Sequence, residues 1–140
     1  MKFKVNAVMT RNVETVSPAE TLEQAAKKMR MHNVGILPVV DEHEIVGILT
    51  DRDIVLRAVS EGMRPHMTRV HDIMTKKIIS CYEDQSITAV SWLMEKNFVH
   101  RLVVLDRQDK LVGLVSLSDI AAKLKNEALS GHVLSKVVAA

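Results

Sequence analysis

Two stretches of the chain put hydroxyls and a carboxylate at the same spacing: Gly47-Ile48-Leu49-Thr50-Asp51-Arg52-Asp53 and Gly113-Leu114-Val115-Ser116-Leu117-Ser118-Asp119, each followed by isoleucine (Ile54, Ile120). A Thr or Ser where a strand turns into a helix, with an acid three residues on, can close a capping box. The hydroxyl accepts from the third backbone N–H, while the acid reaches back and complements the helix dipole. Such a cap stabilises a helix by roughly 0.5–2 kcal/mol and needs no ligand. Two copies in equivalent places, each preceded by a glycine that lets another group approach the backbone, also suit a ligand-binding turn. On these residues alone both readings stand.

The elements that must position the two turns are repeated as well. An offset of 65 residues relates Met9 to Met74, Met29 to Met94, Val34 to Val99, Leu37 to Leu102 and Asp41 to Asp106, and it becomes 66 from Gly47 to Gly113. The chain is a tandem duplication, and its segments are read in pairs. Val5–Thr10 and Val70–Thr75 read as short helical turns. Val13–Val16 alternates as a short strand ended by Ser17-Pro18, and its counterpart is Ile78–Cys81. Thr21-Leu22-Glu23-Gln24 opens a helix with Leu22, Ala25, Ala26 and Met29 at helical spacing, and Ser86–Lys96 is its partner. Strands Ile36–Val40 and Arg101–Leu105 follow, the first carrying Pro38, which suggests an edge or a ligand-facing gap. Strands Val46–Leu49 and Leu111–Val115 then lead into the two motifs. The helix after the first is expected to show Ile54, Val55, Ala58 and Val59 on one side, and the second runs Leu117–Lys125.

The expected fold is α+β: two β-α-β-β-α repeats packed sheet to sheet about a pseudo-twofold axis, with both motifs lining the cleft between them. The expected domains are residues 1–62, a linker over 63–69, residues 70–125, and a tail helix over 126–140 with Val133, Leu134, Val137 and Val138 at helical spacing.

Composition narrows the function. The 140 residues are enough to bury about two-thirds of the unfolded surface. Aromatics are scarce (Trp92, Tyr82, Phe3, Phe98), so the core is aliphatic and base-stacking platforms are lacking. A net charge of +2, with signs interspersed, lacks the footprint of a nucleic-acid binder. The lone Cys81 makes no internal disulfide, and neither a signal sequence nor a membrane-length apolar run is present, which suggests a soluble cytoplasmic protein without membrane partners. His66, His71 and Cys81 fit no common zinc spacing, so no metal site is expected. Nor does any nucleophile, base and orienting group stand out, so the protein is not expected to be an enzyme.

The paired Gly-x-x-Thr/Ser-x-x-Asp motifs, the Met-Thr starts and the Asp turns resemble a stand-alone pair of cystathionine β-synthase (CBS) domains over about residues 5–125. Val99-His100-Arg101-Leu102-Val103-Val104, with the second motif, is similar to the last CBS repeat of the γ subunit of AMP-activated protein kinase. The resemblance implies a regulatory module for an adenine nucleotide (AMP, ADP or ATP) with no required cofactor. The alternative is an interaction scaffold or an S-adenosylmethionine-type sensor. At the matching positions Asp119 can accept both hydroxyls of a ribose diol, Ser116 and Ser118 offer hydroxyls near phosphate, Arg101 is a planar fork for phosphate and His100 adds a proton-dependent donor. In repeat one Asp53 and Thr50 take the ribose and polar roles, with Thr15, Val16, Ile36 and Pro38 around the base. In repeat two Ile79, Ser80 and Leu102 frame it. Repeat one has Gly35-Ile36 where repeat two has His100-Arg101, so that strand supplies it no cation. A homodimer is expected through helical faces carrying Leu22/Ala26 and Ile87/Val90, with a protein partner of unknown kind.

Overall fold

A computed structural model describes residues 3–126 of the protein; the expected tail helix lies outside the described residues beyond Asn126. The elements run α1 (Leu22–His32), β1 (Ile36–Asp41), β2 (Glu44–Thr50), α2 (Asp51–Asp53), α3 (Val70–Ile73), β3 (Ser80–Tyr82), α4 (Ile87–Asn97), β4 (Arg101–Leu105), β5 (Leu111–Ser116) and α5 (Leu117–Asn126). A 3-10 turn over Val5–Ala7 precedes them, and α2 continues as a π-helical stretch over Ile54–Val59. Both repeats follow the β-α-β-β-α plan of an α+β fold.

The chain forms two compact units that do not coincide with the sequence repeats. One is contiguous, Val13–Ile78; the other joins the segment ending at Asn12 to the chain from Ile79 onward. The lead turn of each repeat packs in the unit built around the other repeat's sheet. Val5 and Asn6 donate to the Gln85 and Glu83 carbonyls at 2.9 and 3.0 Å, while Val70 and His71 donate to Glu20 and Pro18 at 2.8 and 3.0 Å. Val5 and Met9 therefore enter the core of Cys81, Ile87, Leu102 and Leu124. Val70, Ile73 and Met74 enter that of Leu22, Leu37 and Leu49.

In the second unit β3 runs parallel to β4, and β4 antiparallel to β5. In the first, β1 and β2 pair antiparallel. The strand expected at Val13–Val16 is reduced to one rung, Val16 against Val39. The cause is a pair of prolines. Glu83 extends the β3 ladder by donating to Leu105 at 3.0 Å, and its counterpart is Pro18, which has no N–H to give. On the other side of the rung, Pro38 accepts from Val16 at 3.1 Å but donates nothing.

The start of α1 is the capping box read from the sequence: Gln24 N–H donates to Thr21 Oγ1 at 3.2 Å and Thr21 N–H to Gln24 Oε1 at 2.8 Å. Leu22, Ala25 and Met29 bury one face of the helix. The stretch after α2 departs from expectation. Ala58 is buried, but Val55 and Val59 are more than half exposed, because a π-helical turn is wider than 3.6 residues and breaks the spacing that would have kept them on one face.

Candidate functional site

In the second unit the site is assembled where β5 meets α5. Asp119 N–H donates to Ser116 Oγ at 3.0 Å and Ser116 N–H to Asp119 Oδ2 at 2.9 Å, closing the capping box. Capping is thus real, and it engages only one carboxylate oxygen: among the described residues nothing donates to Asp119 Oδ1. Leu117 N–H donates to the His100 carbonyl at 2.9 Å, and Arg101 lies opposite Ser116 in the β4–β5 ladder. These two links bring the strand start carrying the Arg101 guanidinium and the His100 imidazole against the helix start. Between them lies a cavity of about 410 Å³ lined by His100, Arg101, Ser116, Leu117, Ser118 and Ala121. The Ser116 and Ser118 hydroxyl oxygens stand 3.1 Å apart. His100 and Arg101 are exposed, and among the described residues neither side chain has a hydrogen-bond or ion-pair partner. Unpaired donors above two hydroxyls form a setting for an anion.

The first unit repeats the cap. Asp53 N–H donates to Thr50 Oγ1 at 3.1 Å, and Thr50 N–H to Asp53 Oδ2 at 3.0 Å. Its remaining oxygen, however, faces Arg57 Nε at 3.8 Å, and Arg57 also donates to the Ile73 carbonyl at 3.0 Å. Asp51 N–H donates to the Gly35 carbonyl at 2.9 Å, and the Asp51 carboxylate leans over Gly35 so closely that a Cβ there would sit 2.8 Å from its Oδ2. A smaller cavity, about 320 Å³, is lined by Asp51, Arg52, Val55 and Leu56. Three of these four, Asp51, Arg52 and Val55, are the counterparts of Leu117, Ser118 and Ala121, so the two cavities occupy equivalent places with different chemistry.

The structure gathers His100, Arg101, Ser116 and Ser118 around one cavity, with Asp119 one residue on. It does not gather the rest. Leu102 and Val16 are 1% and 2% exposed and belong to the cores, so their side chains present no surface to a base. Pro38 is buried as well, and Thr15, Ile36, Thr50, Asp53, Ile79 and Ser80 are half-buried away from either cavity lining. Thr15 gives its carbonyl to the Lys28 ammonium at 2.9 Å. Sequence reasoning missed Leu117, Ala121, Asp51, Val55 and Leu56. The 66-residue offset between the motifs was the signal that could have paired them.

The motif glycines admit protein rather than ligand. A Cβ on Gly113 would meet the Thr10 carbonyl oxygen at 2.7 Å, and one on Gly47 would meet Met74 Sδ at 2.7 Å and the Thr75 carbonyl at 3.0 Å. The Met-Thr segments lie across them as extra rungs on the outer edges of β5 and β2: Thr10 and Leu114 exchange bonds of 2.8 and 3.0 Å, and Thr75 and Ile48 bonds of 2.8 and 2.9 Å.

Among the described residues, no three His, Cys, Asp or Glu side chains are grouped as a metal would require. No described helix is long and apolar enough to cross a membrane. Burial pushes the Cys81 thiol up to about 12, which leaves it protonated and a poor nucleophile. Of the dimer faces expected from Leu22/Ala26 and Ile87/Val90, Leu22, Ile87 and Val90 are fully buried in their own units, and Ala26 is exposed. The exposed large apolar residues are instead Met31, Val34, Val55, Leu56, Val59, Met63, Met67, Trp92 and Phe98 among those described.

A family model described as the CBS domain matches residues 5–60 and 70–126, and the chain belongs to that family, as a tandem CBS pair of regulatory rather than catalytic type. The CBS domain-containing protein YhcV of Bacillus subtilis is 38% identical over 133 residues, which cover 95% of this chain and 94% of that protein. Among solved structures, Hypoxic Response Protein I, with two coordinated zinc ions, aligns at 33% identity and TM-score 0.76 over 87% of this chain and 99% of its own. The CBS domain pair of protein MJ0100, in complex with 5′-methylthioadenosine and S-adenosyl-L-methionine, aligns at 27% identity and TM-score 0.80 over 91% and 99%.

Proposed function

We propose that the cavity at the start of α5 binds an adenosine-containing ligand carrying an anionic group, and that the protein is a sensor of adenine nucleotides. The observation that carries this reading is Arg101, which has no side-chain partner among the described residues and lines a cavity of about 410 Å³ with His100, Ser116 and Ser118. A phosphate accepts from the guanidinium fork and both hydroxyls, and the open Asp119 Oδ1 is an acceptor within the same turn for a ribose hydroxyl. The likeness of repeat two to the kinase γ subunit supports AMP, ADP or ATP.

A second reading is favoured by the MJ0100 pair, which holds S-adenosylmethionine and methylthioadenosine. On that reading Arg101 receives an amino-acid carboxylate instead of a phosphate. Calorimetric titration with AMP, ADP, ATP, S-adenosylmethionine and adenosine separates them. Arg101→Ala should weaken AMP about ten-fold or more, a charge-assisted contact being worth about 1.5–3 kcal/mol, while adenosine changes little. Equal losses for AMP and adenosine would make Arg101 a structural residue, and binding of S-adenosylmethionine alone would establish the second reading. The homodimer belongs to the same proposal and now rests on the exposed Val59, Met63 and Met67. A monomer mass by light scattering at micromolar concentration removes it.

A further inference from the structure

The two motifs are copies, but the surroundings of their acids are not. In the second unit Asp119 keeps Oδ1 clear of every described donor, and the adjoining cavity is lined by the Arg101 guanidinium, the His100 imidazole and no acid. In the first unit the same oxygen of Asp53 faces Arg57 at 3.8 Å. The place of His100 is taken by Gly35, and the space its side chain would need is filled by the Asp51 carboxylate, with Oδ2 2.8 Å from where a Cβ would stand. Asp51 Oδ1 is fixed in turn by its bond from Arg52 N–H at 2.8 Å. The cavity there carries one acid and one base, Asp51 and Arg52, so a phosphate meets no surplus of positive charge and an acid where repeat two offers Leu117.

We infer that the chain binds one phosphorylated ligand, in the repeat-two unit, and that Asp51 is the residue that makes the repeat-one unit refuse it. The inference rests on the nucleotide reading above and adds which copy of the motif serves it. A ligand suited to the repeat-one cavity lacks a phosphate: it is neutral or cationic, with apolar surface for Val55 and Leu56.

Equilibrium dialysis with labelled AMP tests this on the full chain. The wild type should saturate at one AMP per chain, and Arg101→Ala should weaken that binding about ten-fold or more with no second, unaffected class of site left behind. Because the Arg101 side chain is exposed and unpartnered among the described residues, this variant should melt with the wild type, and Arg101→Gln repeats the test if it does not. Asp51→Asn keeps the acceptor for Arg52 N–H and removes the charge. It should gain a second, weaker site, taking saturation toward two per chain. Two AMP per chain in the wild type, or one whose affinity is unchanged by both Arg101 substitutions, overturns the inference while leaving the nucleotide reading intact. Asp51→Asn saturating at one overturns the role of Asp51. No AMP bound by the wild type overturns the nucleotide reading itself.

Discussion

Replacing Gly113 by alanine puts a methyl group 2.7 Å from the Thr10 carbonyl oxygen and 3.0 Å from Met9 Sδ. Ordinary contact begins near 3.4 Å, so the backbone of the lead segment must retreat by about 0.7 Å. That segment is held against β5 by the bonds of 2.8 and 3.0 Å between Thr10 and Leu114, and a retreat of this size breaks or badly stretches both. At about 0.5–1.5 kcal/mol each, their loss comes to about 1–3 kcal/mol, within the usual range for an overpacked core. The melting temperature should fall by roughly 3–12 °C. Amide exchange gives the local readout: Leu114 N–H, which donates to Thr10, should lose protection while Ile48 N–H, which donates to Thr75, keeps it. Gly62→Ala is the control. Its φ of +71° makes alanine strained, but nothing lies within 4 Å, so it should destabilise without touching Leu114 exchange. If Gly113→Ala melts within about one degree of the wild type and Leu114 stays protected, the glycine is not there to admit the lead segment.

Phe98 caps α4 in the left-handed region at φ +55° and is 94% exposed, so Phe98→Gly should stabilise by about 0.5–1 kcal/mol in a denaturant titration; a loss would show that the ring is covered in solution. Tyr82 is the only tyrosine in the chain, and its hydroxyl donates to Asp109 at 2.9 Å, which holds the phenol above its ordinary value. Asp109→Asn should therefore lower its titration by ultraviolet absorbance, and an unchanged curve would deny the bond. With Cys81 pushed from 9.0 to about 12 by burial, native protein near pH 8 should resist iodoacetamide until it unfolds. The folded thiol holds its proton more tightly than the unfolded one, so its share of stability is present below 9 and lost as pH climbs toward 12. Cys81→Ala should flatten that alkaline decline, and an equal slope in both proteins would refute the linkage.

Duplication, strand and helix order and the two capping boxes were legible because each is local or periodic. The paired offsets and hydroxyl-x-x-acid spacings are visible without knowing what packs on what. The single rung at Val16 was written in the sequence too, as Pro18 against Glu83 and Pro38 against Val103, but only a known ladder shows which N–H groups matter. Nothing local reveals that Val5 and Val70 change places: as equivalent residues each suits either core, and chain geometry decides. The site divides the same way. Arg101 and His100 stood out at positions that the resemblance matched, where a guanidinium fork and an imidazole suit phosphate. Asp51 did not, because its effect depends on the carboxylate folding over Gly35. Leu102 and Val16, set around the base by the resemblance, turn their side chains into the cores, which strand alternation leaves open when neither face is polar.

The exchanged lead turns nest one unit inside the other along the chain. A ribosome making this protein joins every residue of the contiguous unit, Val13–Ile78, before it reaches the first strand of the other. Residues up to Asn12 must then wait through that whole interval, their partners Gln85 and Leu114 still unsynthesised. The repeat-two unit, which holds the cationic cavity, is thus closed by joining the two ends of the described chain. Its completion needs the chain made through α5, whereas every residue of the repeat-one unit is already joined by Ile78.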